Sequence, residues 1–327
     1  MADRSKALVT APFRGEGFDT LKSLVDVVYD PWIDQVPLRL YKGEQLAERL
    51  EAEGCDILIV ESDSVKGPEV FDVSLKAIGV CRGGPENVDI AAATEKGIPV
   101  LRAPGRNADA VAEMTVALLY AVNRGVVRAD LDVREGETYR DGKIPYQRFR
   151  TWQLAGRTVG LVGLGAVGRA TKWRLEGLGM KVIAHDPYAA DATHSLEDLL
   201  AESDVVSMHT AVTPETTGMI GKEQYAAMKE GAIFINTARA MLHDTDALVE
   251  SLQQGHLFGA GLDHFIGERL ATDHPLVGMG NVVLTPHIGG ATWDTEANHS
   301  RIIADDLALL LAGKRPVNIV NPEVLPS

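Results

Sequence analysis

Chemistry first shows in this 327-residue chain at three glycines, Gly163, Gly165 and Gly168, spaced G-x-G-x-x-G. A short apolar run rich in β-branched residues, Thr158–Val162, leads into them. A stretch with helical apolar spacing (Val167, Trp173, Leu175, Leu178) follows and stops at Gly179. A second strand-like run, Lys181–His185, closes on Asp186, 23 residues after Gly163. Gly163 permits a tight turn, Gly165 lets a pyrophosphate approach the backbone, and Gly168 lets the helix pack on the strand. The helix N-terminus offers unpaired N–H groups and a positive dipole end to phosphates. An acid closing the second strand accepts hydrogen bonds from the adenosine ribose hydroxyls and repels a 2′-phosphate. Glycine-rich turns also occur without ligands, but here strand, helix, second strand and terminal acid stand in order. The segment reads as a dinucleotide site, with Asp186 favouring NAD over NADP.

In an open α/β sheet, ligands sit beyond the carboxyl ends of the strands, so the polar residues that directly follow the later strands matter most. Arg239 follows FINTA, Glu268 lies five residues past Asp263 after GAGLDHF, and His287 follows VVLTP. Arginine offers a planar fork that pairs with a carboxylate and polarises the neighbouring carbonyl. Histidine delivers a proton to that oxygen, or removes it in the oxidative direction. A carboxylate within reach of the ring favours the charged imidazolium. Singly, each is an ordinary surface residue. Together, on the crevice that holds a dinucleotide, they suit hydride transfer to a 2-keto acid. The other eight histidines, His264 and His243 among them, match no second pattern.

The elements that must position these residues alternate strand and helix. Strands are expected at Lys6–Thr10, Asp26–Tyr29, Asp56–Val60, Lys76–Val80 and Pro99–Arg102, with helical patterns over Glu44–Glu53 and Ile90–Lys96 between them. Asn107 to about Asp132 reads as one connecting helix, and Arg134–Trp152 as a polar loop. Strands are then expected at 158–163, 181–186, 204–210, 232–238, 258–264 and 282–287, with helices at 166–178, 195–202, 221–229 and 244–254. Ser195, three residues before Asp198, is a helix N-cap signal. A final helix, Trp293–Leu311, and a short strand, Val317–Asn321, complete the chain. The alternation implies parallel sheets covered on both faces. With 45% hydrophobic residues, the chain is long enough for about two domains. Its 32 basic and 46 acidic residues give a net charge of −14, which argues against nucleic acid or an anionic membrane as partner. Two cysteines, Cys55 and Cys81, form no disulfide framework or metal motif; with no signal-like N-terminus, a cytoplasmic protein is expected.

Several stretches carry a family resemblance: GVCRGGPENVDIAAATEKGIPVLRAPGRNADAVAEMTVALL (79–119), the glycine segment, SDVVSMHTAVTPETTGMI (203–220), GAIFINTARAMLHDTDAL (231–248), GAGLDHF (259–265) and LTPHIGGAT (284–292). In these the chain resembles the D-isomer-specific 2-hydroxyacid dehydrogenase family, which includes D-3-phosphoglycerate dehydrogenase. The resemblance implies a Rossmann cofactor domain, residues 105–292, inserted into a flavodoxin-like substrate domain formed by 1–104 and 293–327, both doubly wound and parallel. It implies Arg239 as substrate anchor and His287–Glu268 as the acid/base pair. It implies Gly163, Gly165, Ala166, Val167, Gly168, Asp186, Thr237, Ala238, Asp263 and Gly290 as the lining of an NAD site. Gly83 and Gly84 would offer N–H groups to the substrate carboxylate, with Arg82 and the loop Tyr146–Arg150 as specificity elements on position alone. No metal is implied, and homodimers are the family habit.

The chain departs from the family pattern at several places. Ala240 replaces the usual glycine after the arginine, His243-Asp244 the usual Val-Asp, and Glu268-Arg269 the usual Glu-Pro. Glu61 stands where phosphoglycerate enzymes tend to place a base, and Glu86 sits near the glycine loop. Two such acids would repel a phosphate by about 1 kcal/mol or more each. The expected substrate is therefore a non-phosphorylated 2-hydroxy acid of polyhydroxylated, sugar-acid type. The residues leave open an NAD-sensing corepressor-type protein on the same fold, D-3-phosphoglycerate dehydrogenase proper, and oxidation of an anion such as formate or phosphite.

Overall fold

The computed structural model describes residues 4–326, which fall into two compact units, one of residues 4–107 with 292–326 and the other of residues 108–291. In the first unit a parallel sheet of five strands is formed by β1 (Lys6–Val9), β2 (Asp26–Tyr29), β3 (Ile57–Val60), β4 (Ala77–Val80) and β5 (Val100–Arg102), in the order β2-β1-β3-β4-β5. This is the flavodoxin-like order, with the reversal between β1 and β3. β3 (ILIV) and β4 (AIGV) are buried along their whole length, as their unbroken apolar runs require in a sheet covered on both faces. The chain returns to this unit through the helix Trp293–Leu311. It packs where side chains are missing: a Cβ on Gly17 would lie 2.3 Å from the Ser300 backbone, and one on Gly79 would lie 2.8 Å from Ile303 Cγ2. Ile303, Ala304 and Leu307 are thereby buried in the core of the first unit, each large side chain stabilising by roughly 1.5–3 kcal/mol.

The second unit is a six-stranded parallel sheet of β6 (Thr158–Val162), β7 (Lys181–His185), β8 (Val205–Met208), β9 (Ala232–Asn236), β10 (Leu257–Leu262) and β11 (Val282–Leu284). Its order is β11-β10-β9-β8-β6-β7. The reversal falls between β6 and β8, directly where β6 delivers the glycine turn. β9, β10 and β11 are neighbours, so the residues that follow them emerge about 4.8 Å apart along one edge. Ser195 caps the helix Leu196–Glu202, its side chain accepting from the Asp198 N–H.

Three expectations need correction. The helix expected across Asn107–Asp132 is two helices, Ala108–Arg124 and Val126–Arg134, bent by 62°. Gly125 makes the break in left-handed conformation (φ 60°), and Phe149 packs so close that a Cβ there would be 3.0 Å from its ring. The expected strand Val317–Asn321 is an extended segment with a single antiparallel bridge, Ile319 to Leu101. The buried Asp306 carboxylate takes the Val317 and Asn318 N–H groups and Asn318 Nδ2, which removes those donors from a ladder. The loop Arg134–Trp152 contains a short helix, Pro145–Arg148. Strands of the second unit also stop sooner than expected. β11 ends at Leu284 because Thr285 and the next turn bond to Asp263 instead. Among the described residues no single helix is long and apolar enough to cross a membrane.

Candidate active site

The glycine turn is built as its spacing requires. Gly163 has φ 101°, and a Cβ there would lie 2.6 Å from the His209 carbonyl carbon, so β6 and β8 close over it only without a side chain. A Cβ on Gly168 would lie 2.2 Å from the Gly163 carbonyl oxygen, which is the close helix–strand approach. A Cβ on Gly165 would meet nothing within 4 Å, so this face of the turn is open. Gly165 is the N-cap of the helix Ala166–Gly177; no side chain caps that end, and no acid lies in its first turn. Ala166 and Val167 form that first turn. Asp186 follows β7, where one carboxylate oxygen accepts from Leu164 N at 2.7 Å and the other from Tyr188 N at 2.9 Å. Open amides under a dipole end, with a carboxylate fixed beside them, fit the pyrophosphate and ribose of a dinucleotide.

The arginine turn follows β9. Asn236 organises it: Oδ1 accepts from Ala238 N at 2.9 Å, and Nδ2 donates to the Arg239 carbonyl at 2.8 Å. Behind Asn236 stands His243, its Nδ1 2.9 Å from Asn236 Nδ2 and its ring edge-on to Phe234. Burial lowers the His243 pKa to about 4, so the imidazole is neutral and its Nδ1 accepts. The Arg239 guanidinium bonds its own neighbour's carbonyl, Ala238 O, at 2.7 Å and lies 3.4 Å from His264 Nε2.

Glu268 and His287 follow β10 and β11, and Glu268 Oε1 stands 3.0 Å from His287 Nδ1. With a proton on Nδ1 shared to the carboxylate, Nε2 is the nitrogen left to exchange a proton with a ligand. Both residues are in left-handed conformation, φ 57° and 55°, with Asp141 the one other non-glycine residue with positive φ among those described. Such backbone costs of order 1–3 kcal/mol per residue and persists where the surroundings impose it. For His287 the surroundings are Asp263. Its buried carboxylate accepts from Thr285 Oγ1, Ile288 N and Gly289 N, and its carbonyl accepts from His287 N. The pair is exposed to solvent, so its contact orients the ring more than it stabilises the fold. The donor atoms of His264, Glu268 and His287 also lie within 4.8 Å of one another. A cation placed among them would face the Arg239 charge 3.4 Å from the same His264 ring.

Comparison with known proteins agrees with this geometry. Residues 116–289 match the D-isomer specific 2-hydroxyacid dehydrogenase, NAD binding domain. A glyoxylate reductase of Thermofilum pendens is 38% identical, over 98% of this chain and 96% of its own length. The chain belongs to the D-isomer specific 2-hydroxyacid dehydrogenases. A D-3-phosphoglycerate dehydrogenase of Methanocaldococcus jannaschii is 33% identical over 98% of this chain, which spans 60% of that enzyme's length. Among solved structures, the NAD-complexed D-isomer specific 2-hydroxyacid dehydrogenase of Lactobacillus delbrueckii ssp. bulgaricus superposes with a TM-score of 0.80 at 27% identity. The match covers 97% of this chain and all of that one. The protein is an NAD-dependent oxidoreductase of this dehydrogenase family.

Within the dehydrogenase the structure brings together Arg239, Glu268 and His287 on neighbouring strand ends, and it places the glycine turn on the same sheet edge, two strands beyond β9. Other residues expected at the site have their polar atoms engaged elsewhere. The Thr237 hydroxyl bonds Thr115 Oγ1 at 2.8 Å, and Asp263 is spent on the histidine loop. Gly289 rather than Gly290 gives its N–H to Asp263, and a Cβ on Gly289 would press on that carboxylate at 2.9 Å. Arg148, in the loop expected to govern specificity, is bound to Asp132 at 2.6 Å, whereas Tyr146 is exposed. In the first unit Arg82, Gly83 and Gly84 form the turn after β4, and Glu86 folds its carboxylate over Gly84. Glu61 is not the bare repelling acid expected. Its carboxylate pairs with Arg106 Nη2 at 2.5 Å and accepts from Trp32 Nε1, both partners being partly buried. Arg106 Nη1 in turn meets His299 Nδ1 at 2.8 Å. The two residues that sequence reasoning missed are His264, which the turn after β10 brings to Arg239, and His243, which stands behind Asn236 of the arginine turn. The departure from valine at His243 is visible in the sequence, but its role is not.

Proposed function

We propose that the protein interconverts a non-phosphorylated D-2-hydroxy acid and its 2-keto acid. The observation that carries this reading is the convergence of Arg239, Glu268 and His287 on one edge of the sheet that bears the open glycine turn. Arg239 pairs its fork with the substrate carboxylate and polarises the adjacent carbonyl. His287, held through Nδ1 by Glu268, gives a proton from Nε2 to the carbonyl oxygen in reduction and takes it back in oxidation. Bound NADH supplies the hydride.

Two cations of the first unit support the choice of an unphosphorylated substrate. Arg106 is committed to Glu61 and His299, and Arg14 to Glu296. A phosphorylated acid would carry about 1.5–2 further negative charges toward a chain whose own net charge is −14. The glyoxylate reductase relative, whose name gives a small unphosphorylated keto acid, also matches this chain nearly end to end. The test is a panel of 2-keto acids with NADH, including glyoxylate, hydroxypyruvate, 2-keto sugar acids and 3-phosphohydroxypyruvate. The reading expects kcat/KM for an unphosphorylated acid at least tenfold above that for the phosphorylated one; equal values would contradict it.

A homodimer belongs to the same proposal. Val126, Val127, Leu131, Val133, Tyr139 and Ile144 are all large, apolar and exposed within one stretch of the second unit. Light scattering would read twice the chain mass. A cytoplasmic setting suits the two thiols, Cys55 and Cys81, both buried and unpaired.

A further inference from the structure

We propose that His264 is a positioning residue of the reduction, holding the Arg239 guanidinium and the His287 ring in register with each other. The proposal rests on the reading above, in which Arg239 anchors the substrate and His287 exchanges the proton. His264 follows Asp263 at the end of β10, between the strand ends that carry the other two. Its Nε2 lies 3.4 Å from Arg239 Nη1, and its ring centroid lies 3.7 Å from that of His287, with the planes tilted by 50°. The side chain is nearly buried, so the contacts hold it in one pose. A guanidinium can only donate, so the contact needs His264 neutral, with its proton on Nδ1. Burial, and then the neighbouring charges of His287 and Arg239, lower its pKa to about 3, so near neutral pH the ring is an acceptor.

The geometry gives His264 two uses that one small apolar residue could not combine. As an acceptor it restrains one arm of a flexible arginine, so the fork meets the substrate carboxylate already oriented. As a flat ring beneath His287 it limits the tilt of the imidazole that Glu268 holds only at Nδ1. Of the two rings, His287 is the one with a carboxylate partner, Glu268 Oε1 at 3.0 Å from its Nδ1.

The test compares His264→Gln with His264→Asn. Glutamine places a planar amide where the ring lies against His287, with its oxygen near the position of Nε2, whereas asparagine reaches only to the position of Nδ1. Both are polar and of moderate size, and NADH binding by fluorescence reports that the second unit is folded. The expected result is that H264Q keeps kcat/KM for the best keto acid within about threefold of the unchanged enzyme. H264N should lose about 10- to 100-fold, as expected for a lost hydrogen bond to a charged group, mostly as a higher KM for the keto acid. NADH affinity should stay within twofold in both. Equal activity of the two variants, whether both high or both low, overturns the proposal. Arg239→Ala measured alongside separates the two levels. If that variant is fully active, the underlying reading of the site fails. If it is inactive while H264N behaves as the unchanged enzyme, the role of His264 alone fails.

Discussion

In the first unit the helix after the glycine loop, Ile90–Glu95, begins at Asp89, whose carboxylate accepts from Ala92 N at 3.0 Å. In the second the helix after the glycine turn begins at Gly165 with no side chain on its amides. Both units are parallel sheets with a strand-order reversal, and both carry glycines at a strand's carboxyl end. The first satisfies its own polar groups there: Asp89 caps the helix, Glu61 holds Arg106, and Asp63 accepts from Thr10 and Tyr41. The second leaves amides open and spends its internal bonds on aiming side chains, through Asn236 to the arginine turn and Asp263 to the histidine loop. A sheet edge becomes a nucleotide site through donors that the fold leaves unspent, and glycine content alone does not decide it.

That contrast can be broken at several points. His287→Asn removes the proposed proton carrier while keeping a polar side chain. It is expected to lower kcat by about 10²–10⁴-fold with NADH affinity unchanged, read by steady-state kinetics and fluorescence titration; a kcat near that of the unchanged enzyme would count against the role. Gly165→Asp gives the second unit the cap that the first already has. The open space at Gly165 accepts the side chain, so the NAD-free protein should melt higher by the worth of a cap, ~1 kcal/mol. NADH should bind tenfold or more weakly, because a carboxylate now occupies the amides. Unchanged NADH affinity would show that those amides are not the phosphate site. Asp89→Ala is the reciprocal change. It should cost ~1 kcal/mol of stability and leave NADH affinity alone.

Acid should act on both units. Burial lowers the pKa of His243 to about 4, and of His264 and His299 to about 3. Their unfolded value is about 6.5, so between about pH 3–4 and 6.5 the unfolded chain binds more protons than the folded one. Stability contributed by the neutral buried rings is therefore full above about pH 6.5 and declines as pH falls through that window. The slope approaches ~1.4 kcal/mol per pH unit for each such histidine. Calorimetry from about pH 7 to about pH 5 should show a falling Tm, and the second unit, with His243 and His264, should lose more than the first, with His299. A Tm that holds or rises on acidification would contradict the buried neutral assignment.

Much of this was legible in the chain because it rests on local rules. Gly163, Gly165 and Gly168 announce a turn that only glycine can make, and unbroken apolar runs such as ILIV and AIFIN announce buried parallel strands. Arg239, Glu268 and His287 could be found because strand ends on one sheet share one edge. What stayed hidden depends on partners distant in sequence. His264 looked like one histidine among nine until β10 set it beside Arg239 and His287. Glu61 looked like a free charge until Arg106, 45 residues away in the chain, closed on it. Val317–Asn321 has the composition of a strand, but Asp306 takes the donors that a ladder would use. The left-handed backbone of Glu268 and His287 has no sequence signal, because neither residue type requires it.

Arg239 is the proposed anchor of a 2-keto acid beside a dinucleotide site that works without it. The direct measurement is NADH oxidation, followed by absorbance across the 2-keto acid panel, for the unchanged enzyme and for Arg239→Ala, together with the NADH dissociation constant of each. The account predicts turnover of at least one keto acid by the unchanged enzyme. Arg239→Ala should lose about 10²–10³-fold or more in kcat/KM, of the order seen when one donor to a transition state is removed, with NADH affinity within twofold. Turnover by Arg239→Ala at the rate of the unchanged enzyme would contradict it.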